Sequence, residues 1–290
     1  MLVAVTGGSG FIGRHLAVGL HARGRRVRLM DRAPLPAPFP WGIRDLAGTD
    51  FVAGDITERA GLEAAFAGAT AVVHLAGMAL PRRCAEQPLE AFRVNALGTA
   101  NVVDAAAACG VRRLITASSR RVGDAIARGD RFDAYSASKA AAEVWTLAAG
   151  HVVARLDNTY GPGQEEGLVV PDFMSRALAG RPVYDDPRGE TVPLIYVDDA
   201  VEALVRLVTA DTAPRIVHVA AAGEAPLAAV ADAVAALAAR RPVSAIKPAA
   251  PRAPDPLLAT LGWAARTTWE DGLAKTWAAW IARTKAPAAP

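Results

Sequence analysis

Residues 3–16 of the chain read Val3-Ala4-Val5-Thr6-Gly7-Gly8-Ser9-Gly10-Phe11-Ile12-Gly13-Arg14-His15-Leu16. This pattern predicts a buried strand, a tight glycine turn and then a helix. Gly7 permits the turn, Gly10 lets the backbone approach a pyrophosphate, and Gly13 lets the helix pack against the strand. The free N–H groups and the positive dipole end of the helix would face an anion. The stretch therefore indicates a dinucleotide-binding turn.

The end of the next predicted strand indicates which dinucleotide binds. The strand covers residues 26–30, and Asp31 closes it, 18 residues after Gly13. A carboxylate at this point can hold both ribose hydroxyls of an adenosine, and it would repel a 2′-phosphate. The sequence therefore favours NAD as the cofactor. NADP remains the alternative, because Arg14 and Arg32 could hold that phosphate.

Composition indicates a globular protein with a large core. The chain has 290 residues, of which 52% are hydrophobic and 21% are charged. This length suits one large domain or two joined domains. No apolar run is long enough to span a bilayer, and no signal peptide precedes the first strand, so we expect no membrane segment and a cytoplasmic location. The two cysteines form no disulfide framework, and no His/Cys cluster has the spacing of metal ligands.

Charge gives little support to nucleic-acid binding. The formal net charge is +3, and the arginines are scattered rather than gathered on one helix. A basic patch interleaved with aromatic residues, typical of nucleic-acid-binding proteins, is missing from the sequence. The chain has four lysines, and this scarcity draws attention to Lys139.

Strand-like and helix-like segments alternate through the first half of the chain. The predicted strands are 51–54, 71–77, 113–117 and 152–156, and the predicted helices are 57–66, 89–109 and 134–149. Near-continuous apolar strands alternating with helices predict an α/β, doubly wound parallel sheet covered on both faces, a Rossmann fold. The second half is less regular, with predicted helices 168–179, 198–209, 225–240 and 268–283, strands 194–197 and 216–220, and a proline-rich loop 242–256. It predicts a smaller C-terminal α/β substrate-binding region.

Three side chains at element boundaries have predicted local roles. Thr57 is the expected N-cap of helix 57–66, and Asp198 and Asp199 are expected to cap the helix that follows them. His74 lies on an apolar strand and is expected to be a core histidine.

A tyrosine and a lysine four residues apart are the strongest catalytic signal. Tyr135 and Lys139 fall on one face of the predicted helix 134–149. The lysine charge would lower the pKa of the phenol, so that the tyrosine can act as a general base near neutrality. The preceding strand ends in Ser118-Ser119, at the edge where open parallel sheets hold ligands. We predict a catalytic group of Ser118, Tyr135 and Lys139.

Taken in order, these motifs resemble the extended short-chain dehydrogenase/reductases of the NAD-dependent epimerase/dehydratase family over roughly residues 2–277. The segments that carry the resemblance are 6–13, 54–55, 74–77, 95–101, 155–163, 195–199, 261–263 and 272–273. The resemblance implies a sugar or nucleotide-sugar substrate and a homodimer. We predict a dinucleotide-binding domain of residues 1–157 and 189–215, a substrate-binding region of 158–188 and 216–284, and a disordered tail of 285–290.

The resemblance also implies contacts for individual residues. The implied cofactor contacts are Gly7, Gly10, Phe11, Ile12, Gly13, Asp31, Arg32, Asp55, Ile56, Leu75, Ala76, Gly77, Asn95, Tyr135 and Lys139. The implied substrate contacts are Ser119, Arg120, Asn158 and Arg252. Asn158 could equally be structural, as could Arg155 three residues before it. Arg120 and Arg121 could bind a substrate anion or form a solvated turn.

Several positions depart from the family pattern. Sugar dehydratases of the family carry an Asp-Glu pair where this chain has Ser119 and Arg120, which argues against that dehydration. Val192 stands where nucleotide-sugar enzymes often place a phosphate-binding arginine, whereas Arg252 resembles the second such arginine. The substrate is therefore a nucleotide sugar held differently, or a smaller molecule.

Three functions fit these observations. The first is an NAD-dependent epimerase that works by transient oxidation, with Tyr135 as the general base. The second keeps the same site but runs in one direction, as a keto-sugar reductase or dehydrogenase using NAD(P)H. The third is a sensor that binds a dinucleotide without turnover, and the intact Ser118, Tyr135 and Lys139 argue against it.

Overall fold

The computed structural model describes residues 1–35, 49–184, 189–211, 215–239, 253 and 255–285. Strands and helices alternate in the first half. The strands are β1 Leu2–Thr6, β2 Arg26–Asp31, β3 Asp50–Ala53, β4 Ala71–His74, β5 Arg113–Ser119 and β6 Val152–Leu156. The helices are α1 Phe11–His21, α2 Arg59–Phe66, α3 Pro81–Glu86, α4 Pro88–Phe92, α5 Gly98–Ala108, α6 Arg120–Arg128 and α7 Ala134–Ala148, with a π-helical turn Arg93–Leu97 between α4 and α5.

Shorter strands separate the helices of the second half. The strands are β7 Asn158–Tyr160, β8 Thr191–Val192, β9 Leu194–Tyr196, β10 Ile216–Val219 and β11 Ala225–Pro226. The helices are α8 Val169–Leu178, α9 Val197–Thr209, α10 Leu227–Ala238, α11 Pro256–Thr260 and α12 Trp269–Lys285. In the described ranges, no helix combines the length and apolar character that crossing a membrane requires.

Seven parallel strands form the main sheet in the order β10-β6-β5-β4-β1-β2-β3. From β1 the chain moves to β2 on one side and returns to β4 on the other, so the strand order reverses beside β1. Open α/β sheets bind their ligands outside the carboxyl ends of the strands at such a reversal. The predicted doubly wound fold is confirmed, and it places the β1–α1 turn at the crevice.

Alternate residues of β1 enter two hydrophobic cores, one on each face of the sheet. Val3 and Val5 pack in a core with residues of α1 and α9, whereas Leu2 and Ala4 pack in a core with residues of α2 and α5. Since every residue of β1 is buried, the strand reads as one apolar run, as parallel strands covered on both faces do.

The C-terminal helices add a further layer to the first core. Trp263, Trp269, Trp277 and Trp280 are buried there with Leu273. The tryptophans of α12 that recur at helical spacing are therefore core residues. β10, in a segment that the sequence assigned to the substrate-binding region, pairs with β6 and forms an edge of the main sheet. The proposed division into two regions stays a prediction.

The structure differs from the sequence interpretation in five local features. The predicted helix 89–109 is divided by the π-helical turn, and Arg120 and Arg121, for which a solvated turn was one of two alternatives, begin helix α6. Thr57 does not cap α2, because its N–H and hydroxyl groups both donate to Asp55 at 2.8 and 2.9 Å, and the helix begins at Arg59. Asp198 and Asp199 lie inside the first turn of α9. Helix α12 includes Lys285, and residues 286–290 lie outside the described part of the chain.

Candidate active site

The β1–α1 turn is a close-fitting backbone cradle. Gly7 has φ +71°, and a Cβ atom on it would lie 2.6 Å from the Ala76 backbone nitrogen. A Cβ atom on Gly13 would lie 2.2 Å from the Gly7 carbonyl oxygen. Helix α1 begins after Gly10 with no side-chain cap, so its first N–H groups are free to meet a ligand. These features fit the pyrophosphate of a dinucleotide.

Asp31 is held beside this cradle. Its Oδ2 atom accepts the Ser9 N–H group at 3.0 Å, and its Oδ1 atom accepts the Arg32 N–H group at 2.8 Å. The carboxylate is therefore fixed next to the glycine turn, at the end of β2. Of the two candidate cations for a 2′-phosphate, Arg14 is buried and donates to the Gly163 carbonyl at 3.1 Å, whereas the Arg32 side chain is exposed.

Asp55 lies 3.8 Å from the Arg32 guanidinium. Burial acts to raise the pKa of the Asp55 carboxyl, but hydrogen bonds from Thr57 and the charge of Arg32 outweigh it and leave that pKa below its usual value. Ile56 packs over Gly98, where a Cβ atom would meet the Ile56 side chain at 2.7 Å.

Asn95, in the π-helical turn, joins the loop after β4 to helix α7. It is buried, accepts the Met78 N–H group at 2.8 Å and donates to the Ser138 hydroxyl at 3.0 Å. A Cβ atom on Gly77 would lie 2.7 Å from the Asn95 amide oxygen and 3.4 Å from Lys139 Nζ. Residues 75–77 therefore contact the glycine turn at Ala76 and lie next to Lys139 at Gly77.

Helix α7 places Tyr135 and Lys139 at the carboxyl end of β5. Asp133 caps the helix by accepting the Ser136 N–H group at 2.7 Å. Lys139 is buried and donates to the Ala117 carbonyl at 3.1 Å. Burial lowers the pKa of Lys139 to about 8, although nearby Cys84 and Glu143 act to raise it.

Burial raises the pKa of the Tyr135 phenol. The Ser119 hydroxyl and the charge of Arg121 act in the opposite direction. The sequence interpretation expected Lys139 to lower this pKa, but the pKa is raised, and the groups that act to lower it are Ser119 and Arg121, which lies on helix α6. Ser119 is the N-cap of α6, so the positive dipole end of that helix begins beside the phenol.

The two serines at the end of β5 have different partners. Ser118 donates to the Glu143 carboxylate at 2.6 Å. Ser119 accepts the Arg121 N–H group at 3.2 Å and lies close to the Tyr135 phenol. Successive side chains of a strand point to opposite faces, and this alternation is the sequence signal that distinguishes the two serines.

Glu143 is a functional candidate that the sequence interpretation missed. It lies four residues after Lys139, so it continues the helix face that carries Tyr135 and Lys139. Its carboxylate is buried and forms an ion pair with Arg155 through two hydrogen bonds of 2.9 and 2.6 Å. The pair places Arg155 in a structural role beside the site.

His74 is a satisfied core histidine, as the sequence suggests. Its ring nitrogens contact the hydroxyls of Thr6 at 2.7 Å and Thr99 at 3.0 Å. Burial and the charge of Lys139 lower its pKa to about 3, so the ring stays neutral. Within the described ranges, no group of three or more His, Cys, Asp or Glu side chains could hold a metal ion.

A cavity of about 320 Å³ lies between helix α6 and residues of β7 and β8. Its lining includes the predicted substrate contacts Arg120 and Asn158, and also Val192. Arg120 is committed to carboxylates, at 2.7 Å from Asp124 and 3.4 Å from Glu224. Arg252 lies outside the described residues.

The sequence is similar to characterised enzymes. The NAD dependent epimerase/dehydratase family matches residues 3–220. UDP-glucuronic acid decarboxylase 4 of Arabidopsis thaliana is 32% identical over 235 residues, which cover 71% of this chain and 50% of the relative. The ceramide reductase of Caulobacter vibrioides is 34% identical over 207 residues, which cover 70% of this chain and 60% of the relative. The chain thus spans about half the length of the Arabidopsis decarboxylases that it matches.

The fold is similar to solved structures over nearly the whole chain. MoeE5 in complex with UDP-glucuronic acid and NAD has a TM-score of 0.83 and 28% identity, covering 98% of this chain and 100% of that one. The UDP-glucose 4-epimerase of Thermus thermophilus, in complex with NAD, has a TM-score of 0.77 and 30% identity, covering 97% of this chain and 99% of that one.

Proposed function

Because the chain belongs to the NAD dependent epimerase/dehydratase family, we propose that it is an NAD-dependent enzyme that epimerises a sugar or nucleotide sugar by transient oxidation. One observation carries the proposal. Tyr135 and Lys139 are buried on one face of α7, and Gly77 connects Lys139 to the cradle formed by Gly7 and Gly13. A general base therefore lies at the same sheet edge as the cofactor turn.

The proposed reaction begins with proton transfer to Tyr135. The phenolate takes the proton of a substrate hydroxyl, and it returns the proton when the carbonyl is reduced again. Bound NAD supplies the hydride acceptor for the carbon that carries this hydroxyl. Lys139 holds the cofactor ribose and, as a cation, stabilises the phenolate together with Arg121.

Ser119 is the serine we assign to the substrate oxygen, in place of the predicted Ser118. The proximity of its hydroxyl to the Tyr135 phenol supports this role. Ser118 donates to the buried Glu143 carboxylate, and we assign it a supporting role.

NAD is the cofactor that the site supports best. The Asp31 carboxylate is fixed next to the pyrophosphate cradle by the Ser9 N–H group, where it would repel a 2′-phosphate. Arg32 is the exposed cation through which NADP could still bind.

A one-way keto reductase or dehydrogenase is the second candidate. Val192, at the wall of the substrate cavity, supports it, because the described residues of this wall offer no cation to a nucleotide diphosphate. The similarity to a ceramide reductase adds support for this second function.

We also propose that the protein is a homodimer. Four large apolar side chains are exposed on neighbouring helices α4 and α7, namely Leu89, Phe92, Val144 and Trp145. A clustered apolar face of this kind is typical of an interaction surface. A second copy of the chain would cover it through the same helices.

The first experiment denatures the purified protein and identifies the nucleotide that it releases. Stoichiometric NAD supports an epimerase, because such an enzyme regenerates and keeps its cofactor in each turnover. A protein without nucleotide that binds NADPH or NADH reversibly supports the reductase.

Tyr135→Phe then tests the general base. We expect turnover to fall about 10²- to 10⁴-fold while NAD binding is retained. An active Tyr135→Phe variant would exclude both enzymatic functions. Loss of NAD binding in this variant would instead indicate a structural role for Tyr135.

A further inference from the structure

We infer that the arginines of α6 and the loop after it form a subsite for an oxyanion of the substrate, a carboxylate or a phosphate group. This inference rests on the proposed function and adds a substrate class to it. The subsite lies in the 320 Å³ cavity. Four arginines and three aspartates of the described part of the chain line that cavity, namely Arg120, Arg121, Arg128, Arg131, Asp124, Asp130 and Asp133.

Helix α6 places these arginines on one wall. It begins directly at the end of β5, and Arg120, Asp124 and Arg128 follow at spacings of four residues, which puts them on one helix face. The cavity also contacts Ser136, the residue after Tyr135, so it adjoins the N-terminal end of the helix that carries the proposed general base. A group bound there would belong to the same molecule that presents its hydroxyl to Tyr135.

Among the described residues, the opposite wall contributes no cation. Asn158 comes from β7, and Thr191, Val192 and Pro193 come from β8 and the residue after it. All four side chains are uncharged, so positive charge enters this cavity from one side. An oxyanion in the cavity would therefore lie between the guanidinium groups and uncharged side chains, of which Asn158 and Thr191 can hydrogen-bond, the Thr191 hydroxyl already donating to Glu224 at 2.6 Å.

The ion pairs within the cavity do not use all of the N–H donors of its arginines. Arg120 is fixed by Asp124 and Glu224, and Arg121 is 2.5 Å from Asp133. Arg128 shares Asp124 at 3.5 Å and approaches Asp130 at 3.9 Å. Arg131 forms no ion pair with any side chain in the described part of the chain.

A guanidinium group has five N–H donors, so one carboxylate partner does not exhaust it. Arg128 and Arg131 are exposed, and they are the two arginines best able to turn toward a ligand. Planar donor pairs of this kind match the oxygen atoms of carboxylates and phosphates. Glu224, the second partner of Arg120, together with the three aspartates balances the charge of the four arginines, so the preference for an anion rests on Arg131 and on the unused guanidinium N–H groups.

The experiment compares three ligands that share one ring, namely D-glucose, D-glucuronate and D-glucose 1-phosphate. Their dissociation constants are measured by calorimetry on the full chain with excess NAD. The variant is Arg128→Gln/Arg131→Gln, and Arg131→Gln alone is a second variant that breaks no ion pair. Arg82→Gln is the matched control, because its exposed side chain pairs with Glu86 on α3, a helix that does not line this cavity.

We expect the wild type and Arg82→Gln to bind one of the anionic sugars about 10-fold more tightly than glucose. The double variant should lose this preference, and Arg131→Gln should lose part of it. The favoured ligand identifies the oxyanion as a carboxylate or a phosphate. Equal binding of all three ligands by the wild type, or an unchanged preference in the double variant, would overturn the inference. Failure of the proposed function would appear separately, as full turnover in Tyr135→Phe.

Discussion

The Glu143 carboxylate accepts the Ser118 hydroxyl at 2.6 Å, and the same carboxylate pairs with the Arg155 guanidinium. Ser118 and Arg155 are register partners on the neighbouring strands β5 and β6. Glu143 lies one helical turn after Lys139, which itself donates to the Ala117 carbonyl. Helix α7 is thus bonded to β5 and β6 through Lys139 and Glu143. These bonds orient the helix face that carries Tyr135.

Replacing Glu143 with glutamine should destabilise the protein by about 3–5 kcal/mol, because the Arg155 charge would remain buried without its partner. Urea unfolding measures the change. Glu143→Gln/Arg155→Met should recover part of the loss, since it removes both charges. Glu63→Gln, which breaks an exposed pair with Arg59, is the control and should cost less than about 1 kcal/mol. A similar small effect for Glu143→Gln would contradict a structural role for the pair.

His74 makes stability depend on pH in the acid range. Its folded-state pKa is about 3, and the unfolded ring has an ordinary value of 6.5. Between these values the unfolded state binds a proton and the folded state does not, so stability falls as pH decreases. The contribution is at most about 1.4 kcal/mol per pH unit. Above pH 6.5, the ordinary pKa of the unfolded ring, His74 adds no pH dependence to the stability.

His74→Gln should therefore flatten the pH dependence of the unfolding free energy between about pH 4 and pH 6. The measurement is a series of urea titrations across that range. At about pH 8 the two proteins should show the same slope, which is the internal control. Parallel curves through the acid range would show that His74 does not carry this dependence.

The sequence was sufficient for the main sheet and the cofactor turn because both depend on local patterns. The apolar runs of β1, β4 and β5 are buried on both faces, so they are recognisable without their neighbours. The glycine spacing is required by backbone contacts within one turn and with the adjacent Ala76. Asp31 ends strand β2, and Tyr135 and Lys139 lie on helix α7, so the order of strands and helices sets their positions.

Features that depend on long-range or competing polar contacts were harder to predict. From the sequence, Ser118 and Ser119 are both plausible catalytic serines. The structure separates them, because Ser118 donates a hydrogen bond to Glu143, which lies 25 residues further along the chain. Helix α6 buries Val122 and Ala125, and ion pairs such as Arg120 with Asp124 lie along its polar face. The Thr57 hydroxyl donates to Asp55 instead of capping helix α2. Local side-chain hydrogen bonds of this kind compete with helix caps.

The exposed apolar face on α4 and α7 predicts that Trp145→Glu disrupts the proposed homodimer. Trp145 is 49% exposed and Val144 is 67% exposed, so a charge there would be buried against the second copy. We expect the dissociation constant to rise about 30-fold or more. Light scattering should give twice the 30.1 kDa chain mass for the wild type and less for the variant. Leu257→Glu, on α11, is the control for an added surface charge, and a monomeric wild type would contradict the prediction.

Asp31→Asn should change the choice between NAD and NADP. Asparagine keeps an oxygen that can accept the Ser9 N–H group, but it loses the charge that would bind the ribose hydroxyls and repel a 2′-phosphate. We expect NAD to bind about 10- to 100-fold more weakly, because hydrogen bonds to a charged group are the stronger ones. NADP should bind relatively better, helped by the exposed Arg32. Calorimetry with both dinucleotides measures the ratio, and Asp50→Asn on β3 removes the same charge away from the turn. An unchanged ratio in Asp31→Asn would show that this carboxylate does not contact the ribose.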